Sequence, residues 1–222
     1  SCPNVKEGGV AFGNYPEMSA RVVAACRAAT KKPLITKLSP NQTDIRASAK
    51  ACIEAGTDGL AVINTMMAMA IDTKTRRPVI GNVQGGLSGP AIKPIALLKV
   101  FQVAEVAAPH GIPIIGQGGI ASANDAVEFL LAGATAVGVG TALFYDPLVC
   151  PKINQGIRQY LEEQRLADLL LVLHVAEHGV DLLPSFGRDR QRGDVAHSGD
   201  RHVEGARDRR RGQRQQVDLR AE

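Results

Sequence analysis

A thiol, an amine, an amide–hydroxyl pair and two glycine pairs are the groups in this chain whose types and spacing could do chemistry. Cys2 stands beside Pro3 and Asn4. A thiol whose pKa falls from its ordinary value of about 8.5 can serve as a base. Cys26, Cys52 and Cys150 fall in stretches that read as helices, where a buried thiol is ordinarily inert packing. Lys37 ends the apolar run that starts at Pro33. It is either a solvated surface lysine or a cation held at a site, facing negative charge on a ring system or a phosphate. Asn64-Thr65 either cap a turn or present an amide and a hydroxyl to a polar, planar ligand. Gly118-Gly119, inside GQGGI, and Gly140-Thr141 are either tight turns or places where backbone N–H groups approach a phosphate closely. Two such pairs at consecutive strands, the first followed by a helix starting at Ser122, favour the phosphate reading. The four cysteines lie far apart with no CxxC pair. Neither a metal centre nor a disulfide framework is expected, and a reducing, cytoplasmic setting is.

The elements that must position these groups alternate in type. Pro16 to Ala29 predicts a helix with proline near its start. Pro33 to Leu38 predicts a strand, and Thr43 and Asp44 then cap a helix to about Ala55, which Gly56 ends. Gly59 to Asn64 predicts the next strand. A long loop is expected from Thr65 to Pro90, then a helix from Lys93 to Ala108 and a strand from Ile112 to Gly116. A helix runs from Ser122 to Gly133, a strand from Ala136 to Gly140, and a last helix from Leu148 to Gln164. Strand–helix alternation with short links means parallel strands. An open doubly wound sheet and a (β/α)8 barrel both fit. The barrel is favoured because Lys37, Asn64, Gly118-Gly119 and Gly140-Thr141 all fall at or just past strand C-terminal ends, the active rim of that fold. No GxGxxG follows a strand, which weakens the dinucleotide-binding alternative. Four complete strands are counted where a barrel needs eight, so the chain is expected to be the C-terminal half of a TIM barrel.

Composition agrees with that class. The 222 residues are 45% hydrophobic and 22% charged, with 4% aromatics, no Trp and 23 glycines. This is globular and suits buried parallel strands. No apolar run is long enough for a membrane span. No basic segment leads into an apolar one at the start, and the opening Ser1-Cys2-Pro3-Asn4 predicts a beginning inside a longer protein. The net charge of +4 hides a shift. After Lys152 there is no lysine, whereas the last 58 residues hold 11 arginines among 10 acidic residues. Residues 165–183 still read as an apolar helix. From Pro184 onward SFGRDRQRGD and RDRRRGQRQQ offer almost nothing to bury. The expected division is therefore a folded part over 1–164 and an Arg-rich tail over 165–222. The tail is read as disordered or of out-of-frame origin. An anion-binding arm is the alternative, but its arginines are interleaved with acids and lack aromatics, so no nucleic-acid partner is expected.

SCPNVKEGG, ITKLSPN, Ile63–Thr65, GGLSGPAIKP at Gly85–Pro94, Gly118–Ile120 and Val139–Phe144 together resemble the dihydroorotate dehydrogenases, closest to their NAD-dependent, heteromeric class (class 1B). The resemblance covers Ser1 to about Gln164. Dihydropyrimidine dehydrogenase-like flavoproteins have similar SCP and INT segments and are the rival reading. A non-catalytic chain with an anion-binding tail is a third. The resemblance implies that Cys2 is the active-site base and that Asn4, Asn64 and Thr65 contact orotate. It implies FMN contacts at Lys37, Ile63, Gly89, Gly118, Gly119, Gly140 and Thr141. The implied reaction is oxidation of dihydroorotate to orotate in pyrimidine (UMP) biosynthesis. The base takes the C5 proton and the flavin takes the C6 hydride. It further implies a partner subunit carrying FAD and an iron–sulfur cluster, through which electrons reach NAD⁺, in a heterotetramer. The family's segment before SCPN, with a further substrate-binding Asn and the rest of the FMN site, has no counterpart here. The chain alone is therefore expected to be inactive.

Overall fold

The computed structural model describes residues 9–166, with side chains from Phe12 onward. Cys2, Asn4 and the Arg-rich tail from residue 167 on lie outside the described residues. Four short parallel strands form one sheet: β1 (Ile35–Leu38), β2 (Gly59–Val62), β7 (Ile114–Gln117) and β8 (Ala136–Gly138). Their order in the sheet is their order in the chain. Between β2 and β7 the chain adds β3 (Met66–Ala68), β4 (Ile71–Asp72), β5 (Arg77–Pro78) and β6 (Gly85–Leu87). The helices are α1 (Gly9–Asn14), α2 (Pro16–Ala29), α3 (Ile45–Glu54), α4 (Lys93–Ala107), α5 (Ala123–Leu131) and α6 (Val149–Glu163). This is an α/β fold.

Parallel strands in chain order need right-handed crossovers that all fall on one side of the sheet. The core lies there. Leu38, Leu60, Val62 and Ile114 are buried with Ile45 and Cys52 of α3, Val100 and Val103 of α4, and Phe129 of α5. Side chains alternate along a strand, so the opposite face carries Ile35 and Lys37 of β1 and Ile115 and Gln117 of β7. Ile35 is 53% exposed there. No reversal of strand order occurs among the described residues, which sets the sheet apart from a doubly wound one.

The strands are shorter than expected, for local reasons. Pro33 and Pro113 lack an N–H for the ladder, and β1 and β7 begin after them. Past β2, Ile63 N still donates to Gln117 O (3.0 Å) and Asn64 N to Leu38 O (2.9 Å), so the segment stays pinned to both neighbours. The helix starts follow their caps. Asp44, not Thr43, caps α3 by accepting from the Arg46 amide at 3.0 Å. Ser122 and Asp125 form a reciprocal capping box at α5.

The expected long loop over 65–90 is instead an arm of two antiparallel ladders. Met66–Ala68 pairs with Gly85–Leu87, and Ile71–Asp72 with Arg77–Pro78. Glycine is depleted in strands, which disguised β6. Here Gly86 is required, because a Cβ would collide with the Thr65 hydroxyl.

Burial also sorts the cysteines. Cys52 is fully buried, and that burial pushes its thiol up to about 11. Cys26 is exposed. Alkylation at about pH 8 is expected to label Cys26 in the native protein and Cys52 only after denaturation, as read by peptide mass mapping. Native labelling of Cys52 would show that α3 opens readily.

Candidate functional site

The C-terminal ends of the four parallel strands form one edge, and the candidate residues lie along it. Lys37 is the third residue of β1, Ile63–Thr65 follow β2, Gly118-Gly119 follow β7, and Gly140-Thr141 follow β8. Register aligns them. Lys37 is level with Ala61, Ile115 and Ala136 across the open face. One step further on, Gln117 lies beside Gly138, whose missing side chain leaves room for it. Gln117 Nε2 donates to the Ile63 carbonyl at 3.0 Å. The opposite edge is braced by Arg27, whose Nη1 lies 3.1 Å from Asp58, while Asp58 accepts the Leu34 amide at 2.7 Å.

Three loops converge at this edge. The loop after β6 carries Ser88 and Gly89. Thr141 Oγ1 is 2.9 Å from Ser88 Oγ, so the loops after β6 and β8 touch. Gly89 (φ +84°) and Gly119 (φ +81°) both have left-handed backbones. A Cβ on Gly119 would stand 2.8 Å from the Gly89 carbonyl oxygen and 2.9 Å from the Lys93 amide nitrogen. The β7 loop therefore lies against the start of α4 at a separation only glycine permits. Gly118 (φ +134°) has its hydrogen where a Cβ would strike Ala96. Gly140 differs: its φ is −121°, and a Cβ there would meet nothing within 4 Å.

The expected help from the α5 N-terminus is changed by the cap. Asp125 Oδ2 accepts the amides of Ala121 (3.0 Å) and Ser122 (2.9 Å). An anion there would face a carboxylate. The amides left for a phosphate are those of the glycine turns and of Gly140-Thr141. Asp125 is in turn held by Lys93, whose Nζ is 2.6 Å from its Oδ1 and 3.0 Å from Glu128 Oε2. This bridge ties α4 to α5 beneath the Gly118-Gly119 turn.

Desolvation is the largest influence on Asp125 and acts upward, but Lys93 and the Ala121 and Ser122 contacts together outweigh it, and its carboxyl sits below the ordinary range. The hydrogen bonds to Asp125 and Glu128 raise Lys93. A lowered acid stabilises the fold above its unfolded pKa and loses that effect as pH falls through the folded value; a raised base loses it as pH rises through its folded value. The bridge is therefore complete from about pH 5 to pH 9. Lys93→Met is expected to cost about 1–3 kcal/mol in that window. Urea unfolding should show the deficit shrinking toward acid pH, and a pH-independent deficit would mean Lys93 acts by packing alone.

Three expected site residues stand differently from the rest. The Val62–Ile63 peptide is cis. The Ile63 side chain is buried beside Gly118 and Ile92, so only its backbone faces the edge. Asn64 and Thr65 are half-buried, at the root of the arm. Sequence reasoning missed Ser88, Lys93, Gln117 and Asn41. All four lie inside or beside the quoted motifs, but their roles depend on partners 24 to 54 residues away.

The residues present fit a phosphate-bearing planar cofactor: a lysine on the open face, glycine turns that exclude side chains, and a hydroxyl at Thr141. Among the described residues, no group of three or more His, Cys, Asp or Glu could hold a metal ion. None of their helices is long and apolar enough to cross a membrane.

Comparison with known proteins agrees with this geometry. A family model described as dihydroorotate dehydrogenase matches residues 1–161. The chain is 58% identical over 177 residues to "Dihydroorotate dehydrogenase B (NAD(+)), catalytic subunit" of Trichlorobacter lovleyi, covering 80% of this chain and 57% of that protein. It is 53% identical to the protein of the same name from Shouchella clausii, over 77% of this chain and 56% of the relative. Among solved structures, DHODH of Eimeria tenella in complex with ferulenol superposes with a TM-score of 0.64 and 25% identity, over 78% of this chain and 51% of that one. The chain thus spans little more than half the length of these relatives.

Proposed function

Since the chain belongs to the dihydroorotate dehydrogenase family, we propose that it is part of a flavin-dependent enzyme that oxidises dihydroorotate to orotate in pyrimidine biosynthesis. The observation that carries the proposal is the meeting of the Ser88-Gly89, Gly118-Gly119 and Gly140-Thr141 loops at one sheet edge, with Lys37 on the open face beside them. Residues 1–164 are read as the C-terminal half of a (β/α)8 barrel. Helices on one side only, and strands in chain order, suit a barrel wall. Residues 165–222 are read as taking no part in the reaction.

FMN is the proposed flavin. Its phosphate would be held by the backbone amides at Gly118-Gly119 and Gly140-Thr141, with Gly89 and the Ile63 backbone beside them, and Lys37 would supply positive charge near its ring. The flavin, when bound, supplies the acceptor for the hydride that leaves C6 of the substrate. Asn64, Thr65 and Asn4 would bind the ring and carboxylate of dihydroorotate, fixing which carbon faces the base. Cys2 would take the proton from C5, which a neighbouring carbonyl acidifies.

Nothing among the described residues resembles a nicotinamide site. The relatives' name, catalytic subunit of an NAD(+) enzyme, favours a second subunit as the route to NAD⁺. We propose one carrying FAD and an iron–sulfur cluster, assembled with this subunit as a heterotetramer in the cytoplasm.

The test uses the chain extended at its N-terminus to the length of the relatives, here called the full-length protein. It is expected to purify yellow, to release FMN on denaturation, and to bleach anaerobically with dihydroorotate but not with dihydrouracil. Alone, it should pass electrons to artificial acceptors and not to NAD⁺. Bleaching by dihydrouracil instead would favour the pyrimidine-reducing relatives. A colourless protein with salt-dependent RNA binding would favour the anion-binding tail.

A further inference from the structure

We infer that Asn41 is a positioning residue for substrate binding, acting through the backbone that carries Asn64 and Thr65; the inference rests on the reading of the site just given. Asn41 lies in the turn Ser39-Pro40-Asn41-Gln42 that follows β1. Its Nδ2 donates to the Thr65 carbonyl oxygen at 3.1 Å, and its Oδ1 accepts from the Met67 amide at 2.8 Å. A single side-chain amide thus replaces a strand partner for the chain at the root of the arm. It meets one acceptor and one donor there, as a neighbouring peptide group would. The parallel sheet reaches this segment only through the Asn64 amide, which donates to the Leu38 carbonyl at 2.9 Å, and Asn41 takes over beyond it at Thr65 and Met67.

Asn41 is itself held from behind. Ser39 is fully buried, and its Oγ accepts from the Asn41 amide (3.2 Å) and Nδ2 (3.3 Å) while donating to Asn14 Oδ1 (3.1 Å). Gln42 donates through Nε2 to the Ser39 carbonyl (2.7 Å) and accepts from Ser48 Oγ (2.6 Å). Lys99 donates to the carbonyls of Gln42 and Thr43, both at 3.3 Å. The turn is therefore braced by the end of α1, by α3 and by α4. On the far side, Thr65 rests against Gly86 of β6. The 64–65 segment is clamped between a rigid turn and the arm, and Asn41 is the contact on the turn side. Such support matters because a loosely held binding group loses much of its effect on affinity.

The chemistry separates donor from acceptor. Asn41→Ala removes both contacts and leaves the Thr65 carbonyl and Met67 amide unserved. Asn41→Asp keeps the acceptor for Met67 but, when ionised, sets a negative charge against the Thr65 carbonyl. When protonated it regains a donor.

The experiment titrates orotate into the oxidised full-length protein and follows the perturbation of flavin absorbance. Flavin content, measured by release in denaturant, reports folding separately. Asn41→Ala is expected to raise the orotate Kd about tenfold, the scale of one or two lost hydrogen bonds, with flavin content unchanged. Asn41→Asp is expected to bind orotate weakly at about pH 8 and to recover part of the affinity only as pH falls toward about 4, where an acid of that type gains its proton. Asn41→Ala shows no such recovery. Parental Kd values in a variant that retains flavin overturn the inference, and Asn41→Asp at pH 8 decides it if Asn41→Ala cannot be purified. A parent that binds flavin but no orotate overturns the reading of the site, and this inference with it.

Discussion

In the full-length protein, Cys2→Ala should slow the bleaching of flavin by dihydroorotate by about 10²–10⁴-fold while leaving flavin content at the parental level. That range is what a positioned base contributes to a proton transfer. Alanine offers no lone pair at that place. A hydroxyl at the same place is a far weaker base near neutral pH, so Cys2→Ser should recover part of the rate only as pH rises. The parent rate should climb with pH through the thiol pKa, ordinarily about 8.5, as the thiolate fraction grows. Flavin binding should survive because Lys37 and the glycine turns lie on other elements. Cys52→Ala is the control. Cys52 is fully buried on α3, and its loss should lower stability without slowing flavin bleaching. Stopped-flow absorbance across pH gives the answer. A Cys2→Ala protein that bleaches at the parental rate would remove the thiol from the mechanism.

Gly119→Ala is expected to weaken flavin binding by about ten- to hundredfold, from about 1–3 kcal/mol of backbone strain and displacement. The strain has two sources. A φ of +81° disfavours any L side chain, and the new methyl would lie within 3 Å of the Gly89 carbonyl oxygen and the Lys93 amide nitrogen. Both are backbone atoms, so neither can swing aside. The β7 loop must lift away from α4, and the amides proposed to hold the phosphate move with it. Gly140→Ala supplies the contrast. The space beside it is open and no backbone atom stands in the way of a methyl, so no displacement of α4 is expected. A loss of flavin in that variant at parental stability, read by urea unfolding, reports crowding of the ligand itself. Equilibrium dialysis with fluorescence detection measures both. Parental affinity in Gly119→Ala would mean that this turn does not form the phosphate site.

The pattern that survived from sequence to structure was the local one. α2 runs over Pro16–Ala29 as its apolar spacing and leading proline predict. The edge on which Lys37, Asn64, Gly118 and Gly140 lie follows from strand ends alone. What failed depended on distant partners. The arm was hidden because Gly85, Gly86 and Gly89 suggest turns, whereas β6 tolerates Gly86 only because Thr65 fills the space above it. That the Ile63 side chain joins the core, leaving only its backbone toward the edge, also depends on partners far along the chain. Asn41 sits inside a quoted motif, but a motif does not say that its amide reaches Thr65 and Met67. The helix N-terminus at Ser122 is legible, and the Ser-x-x-Asp spacing also carries the capping box in which Asp125 takes the Ala121 and Ser122 amides.

The arm has a consequence for how freely this wall of strands can be elaborated. Ile35 pairs with Gly59, whereas Leu60 pairs with Ile114, a separation more than twice as long. Bringing two strands together across a longer stretch of chain costs entropy only as the logarithm of its length, so the extra residues add about 0.7 kcal/mol to closing that crossover. The β3–β6 and β4–β5 ladders then bond within the inserted stretch. An insertion that closes on itself leaves the register of β2 and β7 undisturbed. Lengthening or shortening the tip between Asp72 and Arg77 should therefore be nearly neutral for folding, which makes that tip the natural place for such proteins to vary in size.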